Sequence, residues 1–261
     1  MKGFMLILVM LAVGCIARAE QPTPQFLGAA LRYQEQICPV LEVSYTWSDP
    51  KGKSGLFHYA RTPTMFFAEQ NLPAGSAPGQ IQAVFDRGRC EFRSLYKLGD
   101  SVSGDVGNEP NGILATQTVM ETALYYVYDG YLYEVVDKGT VSGKENVGDD
   151  SCWRVESTGE FVKYVIWLDP EIGFCPRRLE IRWPKKESSL KTVEFLDYAE
   201  IAKGSWFPAK IHHVFTEGDK TRLEMLAALQ TISTKQTKEI PAIVFPKGIP
   251  VGNAGLGRLT P

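Results

Sequence analysis

The stretch FVKYVIWLDPEIGFCPRRLEIRW, residues 161–183, holds an unbroken apolar run from Tyr164 to Leu168, then Asp169-Pro170-Glu171-Ile172-Gly173, then Leu179, Ile181 and Trp183 alternating with Arg178, Glu180 and Arg182. Proline and glycine inside five residues make a turn, so the two runs read as the arms of a hairpin. The first arm is buried on both faces or nearly so, and the second has one apolar and one charged face.

The same one-sidedness recurs on either side of this hairpin. Val193, Phe195, Ala199 and Ile201 oppose Thr192, Glu194, Tyr198 and Glu200, while Leu223, Met225, Ala227 and Leu229 form another single-sided row. Near the start, Leu41, Val43, Tyr45 and Trp47 alternate with polar residues before the turn Asp49-Pro50-Lys51-Gly52. About ten such strands in one sheet have to curl under their own twist. The expected fold class is therefore mainly β with few helices (α+β): a strongly curved antiparallel sheet forming an open, unclosed β-barrel covered by a helical lid.

Two segments supply the helices. Phe26, Leu27, Ala30, Leu31, Gln34 and Ile37 share one helical face, and Pro39 stops that helix. Between Ile113 and Lys138 the positions Leu124, Tyr125, Tyr128, Tyr131, Leu132, Val135 and Val136 recur at three- and four-residue steps, which favours helix. Asp129-Gly130 interrupts this run, and the same residues also alternate as a hairpin about that pair. The polar, glycine-rich stretch Gly99–Gly112 reads as an exposed loop.

The start of the chain reads as an address. Lys2 precedes an almost wholly apolar segment from Phe4 to Ile16, and Ala17-Arg18-Ala19 suits a signal peptidase. That gives a signal peptide at 1–19, one half-barrel domain at 20–261, and a periplasmic destination. About 13 apolar residues are too few for a membrane span, which needs about 20. An alternative is a lipoprotein anchored at Cys15, because Leu11-Ala12-Val13-Gly14-Cys15 resembles a lipobox. Losing Lys2 and Arg18 takes the formal charge from −2 to −4. With no basic run, the chain is not a nucleic-acid binder. Cys38, Cys90, Cys152 and Cys175 then remain, an even number in an exported chain, so disulfides are expected with their connectivity open.

No catalytic, metal-binding or cofactor motif is found, so no enzyme activity and no cofactor are expected. His212 and His213 leave a strand by opposite faces and cannot share a metal. His58 stands alone. Asp169, Glu171, Asp197 and Glu200 fall in turns or outward positions and read as solvated charge.

Four stretches carry a family resemblance: VSGKENVGDDSCWRVE (141–156), VIWLDPEIGFCPRRLEIRW (165–183), FLDYAEIAKGSWFPAKI (195–211) and IVFPKGIPVGN (243–253). Together they resemble the LolA-type periplasmic outer-membrane lipoprotein-sorting superfamily, with its W-x-D-x-x-x-G-x-P hairpin and closing F-P-x-G-x-x-V-x-D. Asn253 stands where that closing motif usually has Asp. The resemblance implies a half-barrel with a helical lid and an apolar cavity for acyl chains. Joined to the alternation, it assigns Leu179, Ile181, Val193, Phe195, Leu223 and Met225 to the cavity lining, and Leu124, Tyr128 and Leu132 to the lid. The partner it implies is an amphiphile such as a lipid or a lipoprotein acyl chain. A second class is an envelope sensor or scaffold that binds another protein.

The address is tested by the intact mass of purified mature protein. An N-terminus at Glu20 is expected, and a diacylated Cys15 would replace it with the lipoprotein reading.

Overall fold

The computed structural model describes residues 21–72, 79–107, 126–127, 130–160, 162–184, 186–235 and 239–253. Helix α1 (Pro24–Ile37) opens the fold, with Thr23 Oγ1 accepting from the Phe26 amide at 3.2 Å and Pro24 in its first turn. Strands β1 (Leu41–Ser48), β2 (Ser54–Arg61), β3 (Met65–Leu72), β4 (Gly79–Asp86), β5 (Glu91–Leu98) and β6 (Ser101–Gly107) follow as an antiparallel meander. A small hairpin of β7 (Tyr126–Val127) and β8 (Gly130–Tyr131) leads into helix α2 (Leu132–Asp137). A second meander comprises β9 (Thr140–Val147), β10 (Asp150–Thr158), β11 (Lys163–Asp169), β12 (Cys175–Trp183), β13 (Lys186–Ala202), β14 (Ser205–Glu217) and β15 (Lys220–Ser233). The short β16 (Val251–Asn253) comes last.

Among the described residues the long strands form one 14-stranded sheet in the order β16-β6-β5-β4-β3-β2-β1-β15-β14-β13-β12-β11-β10-β9. The two outer strands do not pair with each other, so the barrel stays open as expected. Strands β1 and β15 join the meanders, from Glu42 opposite Ser233 to Ser48 opposite Leu226. The sheet is mixed rather than purely antiparallel, because β16 runs parallel to β6.

Both helices lie on the concave face. Leu27 and Leu31 of α1, with Leu132, Val135 and Val136 of α2, share one continuous core with the inward residues of the strands. Gln34 fixes α1 by polar contacts. Its Nε2 donates to Gly204 O at 3.0 Å and Gly173 O at 3.4 Å, and its Oε1 accepts from the Trp206 amide at 3.2 Å. A Cβ on Gly173 would come within 2.3 Å of that amide nitrogen, and this residue also has φ +67. The glycine in the opening hairpin therefore serves both the turn and the seating of the helix.

Three expectations are corrected. Gly99–Gly112 is not all loop: residues 101–107 form β6, because β5 and β16 offer ladders on both sides. A Cβ on Gly104 would meet the Phe245 ring at 2.4 Å, so the glycine there makes room for an aromatic ring. Phe245 and Ile249 pack with Ile243, Ala60, Phe67, Val84 and Leu95 in a second apolar cluster, which is how the closing motif attaches to the sheet. The stretch read as one helix is divided: β7 and β8 form a hairpin, with Gly130 at φ +117 opening β8, and α2 begins only after Tyr131. Residues 108–125 lie outside the described residues.

The third correction concerns the cysteines: among the described residues Cys38, Cys90, Cys152 and Cys175 are not joined in disulfides. Cys152 and Cys175 sit on β10 and β12 with β11 between them, about two strand spacings apart and beyond the reach of a bridge. Cys38, Cys152 and Cys175 are buried and Cys90 is exposed in the β4–β5 turn. Burial, and then Asp169 and Asp150, push the Cys152 thiol up to about 12, and burial raises Cys38 as well. Native protein should therefore lose one thiol, Cys90, to a water-soluble alkylating reagent at pH 8, and all four only after denaturation. Fewer than four thiols in denatured, unreduced protein would restore the disulfide reading.

Candidate functional site

Strand register arranges the concave face into rows of directly paired residues. The first runs Ser157, Tyr164, Ile181, Lys191, Phe215, Leu223 from β10 to β15. The second runs Val141, Val155, Ile166, Leu179, Val193, His213, Met225. The third runs Phe195, Ile211, Ala227 and crosses the seam to Trp47. All six residues assigned to the lining thus share one face.

Their burial is graded. Leu179, Ile181, Val193, Phe195 and Met225 are at most 3% exposed and belong to the main core beneath the helices. Leu223 is half-buried, as are Phe215 and Trp183, whose rings meet edge to face at 5.7 Å. These three form the mouth of the face, and the third row forms its floor. Of the lid residues, Leu132 is buried in α2; Leu124 and Tyr128 lie outside the described residues.

Two polar side chains lie on this face: His213, set aside from sequence as unable to share a metal with His212, and Lys191, which was not singled out. Lys191 and His213 are each 2% exposed among apolar neighbours. The alternation through Val193 and Phe195 places Lys191 on the apolar side when carried two residues back, so the signal was present. Neither ring nitrogen of His213 has a hydrogen-bond partner. Desolvation by burial, then the nearby Lys191 charge, then His212, hold His213 well below the usual imidazole value.

The convex face is a wall of charge. The Trp167 ring lies between the guanidinium groups of Arg178 at 5.3 Å and Arg154 at 5.9 Å, and its Nε1 donates to Glu145 at 3.1 Å. Glu180 accepts from Arg178 and Arg182, both at 2.7 Å. His212, leaving by this face as expected, sits between Glu194 at 3.4 Å and Glu224 at 3.2 Å. His58 pairs with Glu42. Asp197 pairs with Lys210, and Glu200 accepts from the Gly204 amide. Asp169 departs from its expected solvated role: it is 1% exposed, accepts from the Glu171 amide, and binds Arg177 at 2.8 Å. Among the described residues no group of three or more His, Cys, Asp or Glu side chains is placed to hold a metal.

An open polar cleft of about 430 Å³ lies beside the helices, lined by Arg32, Glu35, Arg87 and Tyr133 among others. Arg87 is paired with Glu35 at 2.6 Å, and Arg32 lies over the Tyr133 ring at 4.5 Å.

His213 couples this face to pH. It is neutral in the fold and takes up a proton on unfolding below its ordinary value near 6.5, so the unfolded state binds more protons there. Stability should fall as pH drops from about 6.5, with a slope approaching about 1.4 kcal/mol per pH unit from this group. Urea unfolding at pH 7.5, 6.5 and 5.5 should show a flatter dependence for His213→Leu. Equal slopes for the two proteins would remove the assignment.

No known protein family and no curated protein matches the sequence. Among solved structures the chain is similar to a DUF1329 family protein from Desulfovibrio piger, at 14% identity and a TM-score of 0.54, over 84% of this chain and 96% of that one. A domain from Vibrio parahaemolyticus, given as a candidate outer membrane lipoprotein-sorting protein, matches at 11% identity and a TM-score of 0.41, over 81% of this chain and 93% of that one. At such identities the first likeness is one of fold, and the open half-barrel under a helical cover is the fold this chain has.

Proposed function

We propose that the protein is an exported, non-catalytic carrier or binding protein for an amphiphile of the bacterial envelope, a lipid or lipoprotein acyl chain, taken on the concave face beneath α1 and α2. One observation carries this reading. Three successive rows, from the β10–β12 wall across the seam to β1, turn apolar side chains to the same side of a sheet that never closes. The cover is helical and the outer strands are unjoined, so the face opens without breaking a strand ladder. An acyl chain gains about 0.8 kcal/mol for each methylene it buries there.

A protein-binding sensor or scaffold is the second reading. Leu196, Lys210, Ala228, Thr46 and Leu56 pair in one row of the convex face, and Leu226 lies in the next. Leu56, Leu196 and Leu226 are 39–43% exposed, which suits a partner better than solvent.

The graded burial makes the test selective. Phe195→Glu puts a charge into the packed floor and should unfold the protein. Leu223→Glu sits at the mouth, where water reaches it, and should leave a cooperative melt while weakening a fluorescent fatty acid about tenfold or more. Delipidated wild type that binds no long-chain amphiphile would overturn the carrier reading.

A further inference from the structure

We infer that Lys191 and His213 form a head-group site on the concave face, so that the amphiphile carried there is an acidic one, with a carboxylate or phosphate at its end. This rests on the carrier reading and narrows it to a ligand class. The carrying observation is the imidazole of His213. Both ring nitrogens are buried without a hydrogen-bond partner, on a row whose other members are aliphatic side chains and Met225. A buried polar group in that state costs stability that an apolar residue of similar size would not, so it calls for a role.

Register supplies the second half. Lys191 lies opposite Phe215, two residues along β14 from His213 on the same face, which makes the pair diagonal neighbours across the β13–β14 ladder. Lys191 is as deeply buried as His213, and its charge is felt at the imidazole. Both lie between the half-buried mouth at Trp183, Phe215 and Leu223 and the sealed floor at Phe195 and Ile211. A neutral imidazole donates one N–H, unmet here, and the Lys191 ammonium sets a positive charge beside it, so an anion gains charge-assisted contacts in a medium that strengthens them. Beyond the head group, the neighbouring side chains are apolar and take the tail.

The test is competition between amphiphiles of one chain length, below their micellar concentrations, for a neutral fluorescent probe bound to delipidated protein. Decanoate and decyl phosphate should displace it about ten- to a hundredfold more effectively than decan-1-ol, the scale of one charge-assisted hydrogen bond. Lys191→Met and His213→Leu should each cut that preference while decan-1-ol affinity stays unchanged, and Lys191→Arg should keep it. Should Lys191→Met fail to fold, the wild-type ratio of acid to alcohol still decides. Equal binding of acid and alcohol overturns the head-group site and leaves the carrier reading standing. Binding of neither overturns both. Acetate or inorganic phosphate competing as well as the alkyl acids would mean a free-anion site, which also overturns the proposal.

Discussion

The architecture depends on the pairing of β1 with β15, which brings together residues about 190 apart in sequence, Glu42 and Ser233 at one end. Every other antiparallel pair in the large sheet links strands consecutive along the chain. Such a contact closes a long loop, whose entropy cost grows only slowly with length. The contact is firm because the paired residues also bury their side chains: Val43, Tyr45 and Trp47 are at most 7% exposed. Tyr45 adds a hydrogen bond from its hydroxyl to Pro208 O at 2.7 Å, tying β1 to β14 across β15. Without this seam there would be two separate meanders, and the floor row from Phe195 to Trp47 would not exist.

Where a strand has one wet face, its parity was legible in the sequence. Leu179, Ile181, Val193, Phe195 and Met225 turned inward together because each alternates with charge, and the charged partners became the convex wall around Trp167. The failures have a shared physical origin. Ser101–Gly107 carries few apolar side chains, and it is a strand because β5 and β16 supply ladder partners that no local pattern announces. Asp169 looked like a solvated turn residue. Its burial follows from Arg177, eight residues on, folding back to it across the β11–β12 turn. This segment combined both alternatives that the sequence offered, since Gly130, at a positive φ, opens the second arm of the hairpin and helical spacing resumes straight after Tyr131.

The cysteines show how fold and compartment are separable. An even set in a chain read as exported suggests bridges, yet three of the four are packed as small apolar residues within strands or against a helix end. Their separation by an intervening strand, or by the depth of the sheet, is a matter of geometry that composition does not reveal. Burial makes all three thiols inaccessible, and it keeps those of Cys38 and Cys152 protonated, which slows their oxidation without any cross-link.

The packed state of the concave face constrains how a carrier built this way has to work. On the carrier reading, a ligand reaches this face by displacing the helical cover. Exposing a leucine- or valine-sized side chain costs about 1.5–3 kcal/mol, and burying a methylene returns about 0.8. Uncovering Leu27, Leu31, Leu132, Val135 and Val136 therefore offsets most of what an acyl chain of about a dozen carbons contributes. The two helices are also tied to each other, since Gln25 Nε2 of α1 donates to Asp137 O at the end of α2 at 2.9 Å. With the apolar exchange so nearly balanced, affinity falls to whatever the ligand offers that the cover does not. On this face the His213 ring nitrogens have no hydrogen-bond partner, and on the head-group proposal a ligand able to accept from His213 would be preferred over others that the tails alone cannot distinguish.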